Sequence, residues 1–337
     1  MAGVDENEDS TLAPDEAFAV LGNEVRIEIL RTLADAGEPL SFSGLFDQVE
    51  YDTASNFSYH LDKLTQHFVR KTDEGYGLTR AGERVVEAVL SGAVTEAPTV
   101  DRTEIDQECH FCGSPVEVSY SQERLERFCT ECSGMWGSHD RGFLGSLTLP
   151  PVGLQDRSTQ AAADVAWIWR KRDFLALSNG ICPRCSASIG VEPDICPSHD
   201  DSEELCDVCG NRHAARLEFN CPTCIFDARG TLPIVFAYDT DLLAFVIAHG
   251  YNPFQPESIA DVQRLYSEYE EEILSVEPFR GRFTFSADGE TLTLTVDEDF
   301  EVVETVLTGC QEGTDERRRL GDEGKSDEAS GRPNTER

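Results

Sequence analysis

Between Asp15 and Ser91 the apolar residues recur at helical intervals in short bursts, separated by glycine and polar breaks. "DEAFAVL" stops at Gly22-Asn23, and "EVRIEILRTLADAG" places Ile29, Leu30 and Leu33 on one face before Gly37 ends it. "SFSGLFDQV" follows as a short helix with Ser41 placed to cap it. In "TASNFSYHLDKLTQHFVRK", Thr53 to Lys71, the residues Ala54, Phe57, Leu61, Leu64 and Phe68 follow at steps of three and four, the single buried stripe of a fourth helix. "FVRKTDEGYGLT" alternates as two short strands about Asp73-Glu74-Gly75, and "TRAGERVVEAVLSG" returns to the helical period. Four helices, a hairpin and a closing helix within residues 13–92 are the order of a winged helix-turn-helix.

Downstream the pattern changes. Residues 93–105 are small, polar and interrupted by Pro98, a linker; cysteine modules then occupy 106–138 and 181–226, with a helical connector over 139–180. Within the connector, "STQAAADVAWIWRKRDFLALSNG" is a helix with Ser158 as its cap and Gly180 as its end. The segment 227–310 is α+β, with helices at "DLLAFVIAHG" and "SIADVQRLYSEYEEEIL" and a hairpin "RFTFSADGETLTLTV" about Ala287-Asp288-Gly289. Residues 1–12 and 311–337 are polar and expected to be unstructured tails. The fold class is therefore α+β: a winged helix-turn-helix, then zinc ribbons, then a small C-terminal α+β segment.

The cysteines point to metal. Cys109-x2-Cys112 and Cys129-x2-Cys132, sixteen residues apart, are two knuckles joined by a hairpin, a spacing that suits four thiolates around Zn2+. Taken in chain order, Cys182, Cys185, Cys196 and His199 make a second set, and Cys206, Cys209, Cys221 and Cys224 a third. An interleaved pairing of Cys182 and Cys185 with Cys206 and Cys209 stays open, with His213 in place of His199. Eleven of the twelve cysteines and one histidine thus fill three sites, leaving Cys310 as a small packing residue. Each set is closed by four protein ligands, so the three zinc ions are expected to be structural rather than catalytic. Redox chemistry fits paired knuckles poorly.

The formal net charge is −36, and only four of the 28 basic residues are lysine (Lys63, Lys71, Lys171, Lys325). Such a surface suits a cytosol of molar salt, where screening lengths are short. No apolar run is long enough to span a bilayer and no secretory leader is present, so the expected location is cytoplasmic, without a membrane partner. Against this background Thr53–Lys71 holds one acid, Asp62, where the average density would place three or four. On a helical wheel the side opposite the apolar stripe presents Ser55, Tyr59, Lys63 and Gln66, with Asn56 at the margin, and Arg70 and Lys71 open the wing. These side chains read base edges and hold phosphates, and a carboxylate among them would face the phosphate backbone. His60 and His67 flank the stripe as packing residues or phosphate contacts.

"LGNEVRIEILRTL", "SFSGLFDQV", "NFSYHLDKL" and "LTRAGERVVEAVL" together resemble the ArsR-type winged helix regulators, over roughly residues 15–91. "SYHLDKL" matches that family's recognition-helix pattern at Ser58, His60, Leu61 and Leu64. The resemblance implies a homodimer reading a two-fold-related site in double-stranded DNA, with Ser58 on the reading helix. "FSGLFDQV" lacks the cysteines with which some members sense metal, so metal-responsive release at that position is not implied. The larger arrangement, with cysteine modules behind the helices, resembles haloarchaeal regulators.

The leading expectation is a sequence-specific transcription regulator. A basal initiation factor resembling archaeal transcription factor E, in contact with the transcription machinery, is the second reading. A zinc-ribbon interaction adaptor is the third. No GxGxxG, P-loop, HExxH or GxSxG motif occurs, so no enzymatic activity is expected. In "WIWRKRDF" the tryptophans are expected to pack inward, and adjacent Ser138-His139-Asp140 is no triad.

Overall fold

A computed structural model describes residues 12–65, 67–200, 205–254 and 267–309. The chain is α+β, and among the described residues every sheet is antiparallel. It divides into two compact units, one running to Arg172 and the other from Asp173, with Gly210–Arg212 returning to the first.

The first unit opens with α1 (Pro14–Leu21), α2 (Glu24–Ala36), α3 (Phe42–Val49) and α4 (Ala54–Leu64). The hairpin β1 (Val69–Thr72) and β2 (Gly75–Leu78) follows, then α5 (Arg80–Leu90). Local chemistry sets the boundaries: Asn23, Ser41 and Thr79 each accept a backbone N–H at their helix start, and Gly37 closes α2 at φ +66°. α2 packs against α3, α4 and α5 through Ile29, Leu30 and Leu33, which meet Leu45, Phe57, Leu61, Leu64, Phe68 and Val86 in one core. Gly82 lies where a Cβ would come within 2.1 Å of the Phe68 carbonyl, so α5 rests on the turn after α4 with no room for a side chain.

The fourth helix is shorter than its apolar period suggests. It ends at Leu64; Thr65 turns to an extended conformation and its hydroxyl donates to the Leu61 carbonyl at 2.8 Å. Phe68 is buried from the turn beyond the helix, and Ala54, the first residue of the expected stripe, is exposed.

Beyond α5 a four-stranded meander comprises β3 (Val100–Glu108), β4 (Pro115–Ser121), β5 (Arg124–Cys129) and β6 (Phe143–Thr148). The expected linker is therefore overturned from Val100 onward. β3 is an edge strand of mostly exposed polar residues with only Ile105 buried, so it carries no apolar alternation to reveal it. β4 and β5 are joined by Gln122-Glu123, both at positive φ, and bury Val116, Val118, Tyr120, Leu125 and Cys129 on one face. α6 (Thr159–Ser178) follows, with Ser158 accepting from the Ala161 N–H and Gly180 at φ +67° after its end. Trp167 is buried as expected, whereas Trp169 is 40% exposed beneath the Arg172 guanidinium.

The second unit holds a three-stranded sheet, β7 (Gly190–Ile195), β8 (Ala215–Asn220) and β9 (Asp227–Thr231). After it come α7 (Pro233–Phe236), α8 (Thr240–Ala248) and the meander β10 (Glu270–Val276), β11 (Phe279–Ala287), β12 (Glu290–Val296) and β13 (Val302–Thr308). Leu217 and Phe219 of β8, Leu242 and Phe245 of α8, and Phe283, Phe285, Leu292 and Leu294 of β11 and β12 form its core. The β11–β12 hairpin turns at Asp288-Gly289, as its sequence indicates. The helix expected over Ser258–Leu274 is contradicted from Glu270, where β10 pairs with β11; its earlier part lies largely outside the described residues, as do residues 1–11, Cys310 and residues 311–337. "EEEIL" has few β-branched residues, and pairing with the strongly alternating β11 overrides that local preference.

Candidate metal centres and nucleic-acid face

In the first unit, Cys109 and Cys112 lie between β3 and β4, and Cys129 and Cys132 at the end of β5. The β4–β5 register pairs Val116 with Cys129, which closes the hairpin against both knuckles. Cys109 and Cys132 stand 3.8 Å apart at sulfur, Cys112 and Cys129 3.5 Å. A disulfide would need about 2.05 Å, whereas four thiolates about 2.3 Å from a tetrahedral ion lie roughly 3.8 Å from one another. The backbone N–H groups of Glu131 and Cys132 both donate to the Cys129 sulfur at 3.4 Å.

The second unit repeats this design. The Cys182 N–H donates to Ala187 and Ser186 donates back to Cys182, as Cys109, Ser114 and Gly113 do in the first. Gly113 and Ser186 occupy the same left-handed turn after the knuckle, at φ +76° and +62°. The partners that meet are Cys182 with Cys224 at 3.7 Å and Cys185 with Cys221 at 3.5 Å.

Here the structure overturns the pairing in chain order. Cys182, Cys185, Cys221 and Cys224 form one group, and Cys196, His199, Cys206 and Cys209 form another nested within it. The interleaved alternative fails too, and His213 is not in either group: its Nε2 meets the Ser267 carbonyl at 2.9 Å and its ring stacks on Tyr269. The β7–β8 ladder explains the nesting. Gly190 pairs with Asn220, beside Cys221, at one end, and Ile195 with Ala215, beside Cys196, at the other. One metal ribbon therefore carries a second ligand group where its hairpin turn would be. In that inner group His199 offers Nδ1, 3.5 Å from the Cys209 sulfur, and the Val208 N–H donates to Cys206.

In each group all four ligand atoms lie within 4.8 Å of one another, so the donor sets fit three tetrahedral ions and are compatible with zinc. Burial pushes the Cys109 thiol well up and Cys132 up to about 11. At Cys112 burial also acts upward, but hydrogen bonds from Ser114 and the neighbouring cysteines outweigh it and bring the thiol to about 6. Four such sulfurs ionise together only with a cation among them, so binding releases protons.

Sequence reading missed two buried charged residues, the first of them beside a ligand group. Arg127, between Leu125 and Cys129 on the buried face of β5, is 4% exposed; burial pushes its guanidinium down to about 10, opposed by Cys109. Its signal was a cation at an apolar position of a strand. Glu271 of β10 accepts from the Ala214 and Ala215 N–H groups and lies 3.9 Å from His213 Nδ1; burial pushes its carboxyl up to about 7, against those two hydrogen bonds.

On α4, Ser55, Asn56, Tyr59 and Lys63 are exposed and Ser58 is half-buried; Arg70 and Lys71 are exposed on β1. Gln66 lies outside the described residues. The Asn56 amide donates to the Tyr51 hydroxyl at 2.9 Å, and the Lys63 ammonium lies 5.7 Å above the Tyr59 ring. Lys71 lies similarly over Tyr76. His60 is buried between Tyr51 and Tyr59, its pKa lowered by desolvation and by the Arg26 charge. It is a packing residue.

Fold and sites together define an α+β protein with, among the described residues, three four-ligand groups able to hold metal ions. The chain belongs to the family described as domain of unknown function DUF7351, whose model matches residues 106–302, more than half its length and all twelve ligands. A second model, domain of unknown function DUF7347, matches residues 14–89, the helices and hairpin. No curated protein and no solved structure matches the chain. Among the described residues no helix is long and apolar enough to cross a membrane.

Proposed function

We propose that this protein is a DNA-binding transcription regulator in which residues 14–90 act as a winged helix-turn-helix and three structural zinc ions shape the rest. The observation that carries the reading is the exposed face of α4. Ser55, Asn56, Tyr59 and Lys63 stand clear of the core beside a hairpin bearing Arg70 and Lys71, in a chain of net charge −36. Side chains of this kind on the helix preceding a basic hairpin suit base edges and flanking phosphates. Asp62 is the one carboxylate of the helix.

A homodimer fits the same reading, since reading a two-fold site needs two copies. The zinc ions contribute order and no chemistry at a substrate, because each is held by four protein ligands.

Selection of genomic fragments by the purified protein in molar KCl tests this. Enrichment of a few promoter fragments with inverted repeats is the expected result. Retention of all fragments alike, together with copurifying RNA polymerase, would instead favour a basal initiation factor.

A further inference from the structure

We propose that Arg127 is the built-in countercharge of the Cys109/Cys112/Cys129/Cys132 centre, so that the β4–β5 sheet is complete only with a divalent metal bound there. The proposal rests on the reading of that group as a metal centre and adds a role for a residue outside its ligands.

Arg127 lies in the middle of β5, one of the two inner strands of its sheet, and is almost wholly buried. Among the described residues its Nε and Nη2 are buried and have no hydrogen-bond partner. At neutral pH the guanidinium is charged, and its five N–H donors need acceptors. Its neighbours across the ladder do not supply them: Val118 stands opposite on β4 and Gly145 on β6. Strand alternation places Glu117 and Glu126, the acids of these strands, on the other face. The same alternation places Cys129 on the face of Arg127, two residues on, and Cys109 is its electrostatic neighbour.

A buried charge without a partner is strongly destabilising, and a pair is tolerated only when both charges are present. Four neutral thiols give Arg127 no countercharge. Four thiolates around a divalent ion carry a formal charge of −2, and the adjacent guanidinium reduces it to −1. Metal and arginine each relieve the other's cost.

This predicts effects of opposite sign, which packing alone does not produce. In full-length protein titrated with a chromophoric chelator, R127M should weaken one of the three zinc sites at least tenfold and leave the other two unchanged. The cysteines alkylated first should be Cys109, Cys112, Cys129 and Cys132. R127K, which keeps the charge, should retain affinity within about threefold. After complete chelation, R127M should resist denaturant better than the wild type, because the unpaired charge is gone. Unchanged zinc affinity in R127M, with loaded and metal-free forms both destabilised, overturns the proposal. If R127M does not fold, wild-type hydrogen exchange decides. Leu125–Cys129 should lose protection on chelation, and retained protection contradicts the proposal. Fewer than three zinc ions in the wild type would instead count against the reading of the metal centres.

Discussion

The helical segment of residues 14–90 and the nested module of residues 182–231 achieve order in different ways. The first closes an apolar core in which Ile29, Leu30, Leu45, Phe57 and Leu64 are fully buried, and none of its described residues belongs to a metal group. The second spends six-residue strands on positioning eight ligands, several of them half-exposed. Hydrophobic burial at about 25 cal/mol per Å2 can carry the first. Ligand geometry has to carry much of the second, whose β7 is largely exposed, although Ala215, Leu217 and Phe219 of β8 join the apolar core of their unit. The part proposed to read DNA is thus the part that stands without metal.

Chelation should separate them most sharply. Structural zinc contributes on the order of 10 kcal/mol per site, so metal removal should abolish hydrogen-exchange protection in β7 and β8. Protection of α2 and α4 should persist. Simultaneous loss in both regions would break the contrast.

Metal counting in paired cysteine variants tests the nesting itself. C185S/C221S removes two ligands of one group and should lose one zinc ion, whereas C185S/C196S touches two groups and should lose two. Pairing in chain order gives the reverse counts.

Within the helical segment, L61A should cost about 2–5 kcal/mol, the usual range for truncating a fully buried leucine. All three metals should remain bound, and calorimetry with elemental analysis checks both.

The smallest effect concerns Glu271, whose carboxyl burial raises above its unfolded value. A raised native pKa means that the folded state holds the proton more tightly. Its contribution is full below the unfolded pKa, near 4.5, and is lost as pH rises through about 7. E271Q should therefore flatten the fall in stability between pH 4.5 and 7 by up to about 3 kcal/mol. Denaturation midpoints in that window that coincide for both proteins would contradict this.

How much of this was legible in the sequence follows the same division. The helical segment announces itself, because amphipathic periods, Ser41, Thr79 and Gly37 all act within a few residues of where they sit. The ligand residues were equally plain, yet their grouping was not. A CxxC pair fixes a knuckle, but which knuckles meet depends on the β7–β8 ladder, and adjacency along the chain says nothing of it. β3 and β10 were missed for a related reason: "VDRTEIDQE" and "EEEILSV" are acidic, and their strand state comes from the neighbour they pair with. Arg127 showed only as a charge among apolar alternate positions, whose meaning needs the fold.

The proposal that α4 reads DNA is tested most directly by genome-wide occupancy of the tagged wild type beside Y59A/K63A at equal cellular abundance. Base contacts typically contribute about 1–3 kcal/mol each, so sites bound by the wild type should fall at least tenfold in the variant, with all three zinc ions retained. Unchanged occupancy at the same loci would mean that another surface holds this protein to DNA.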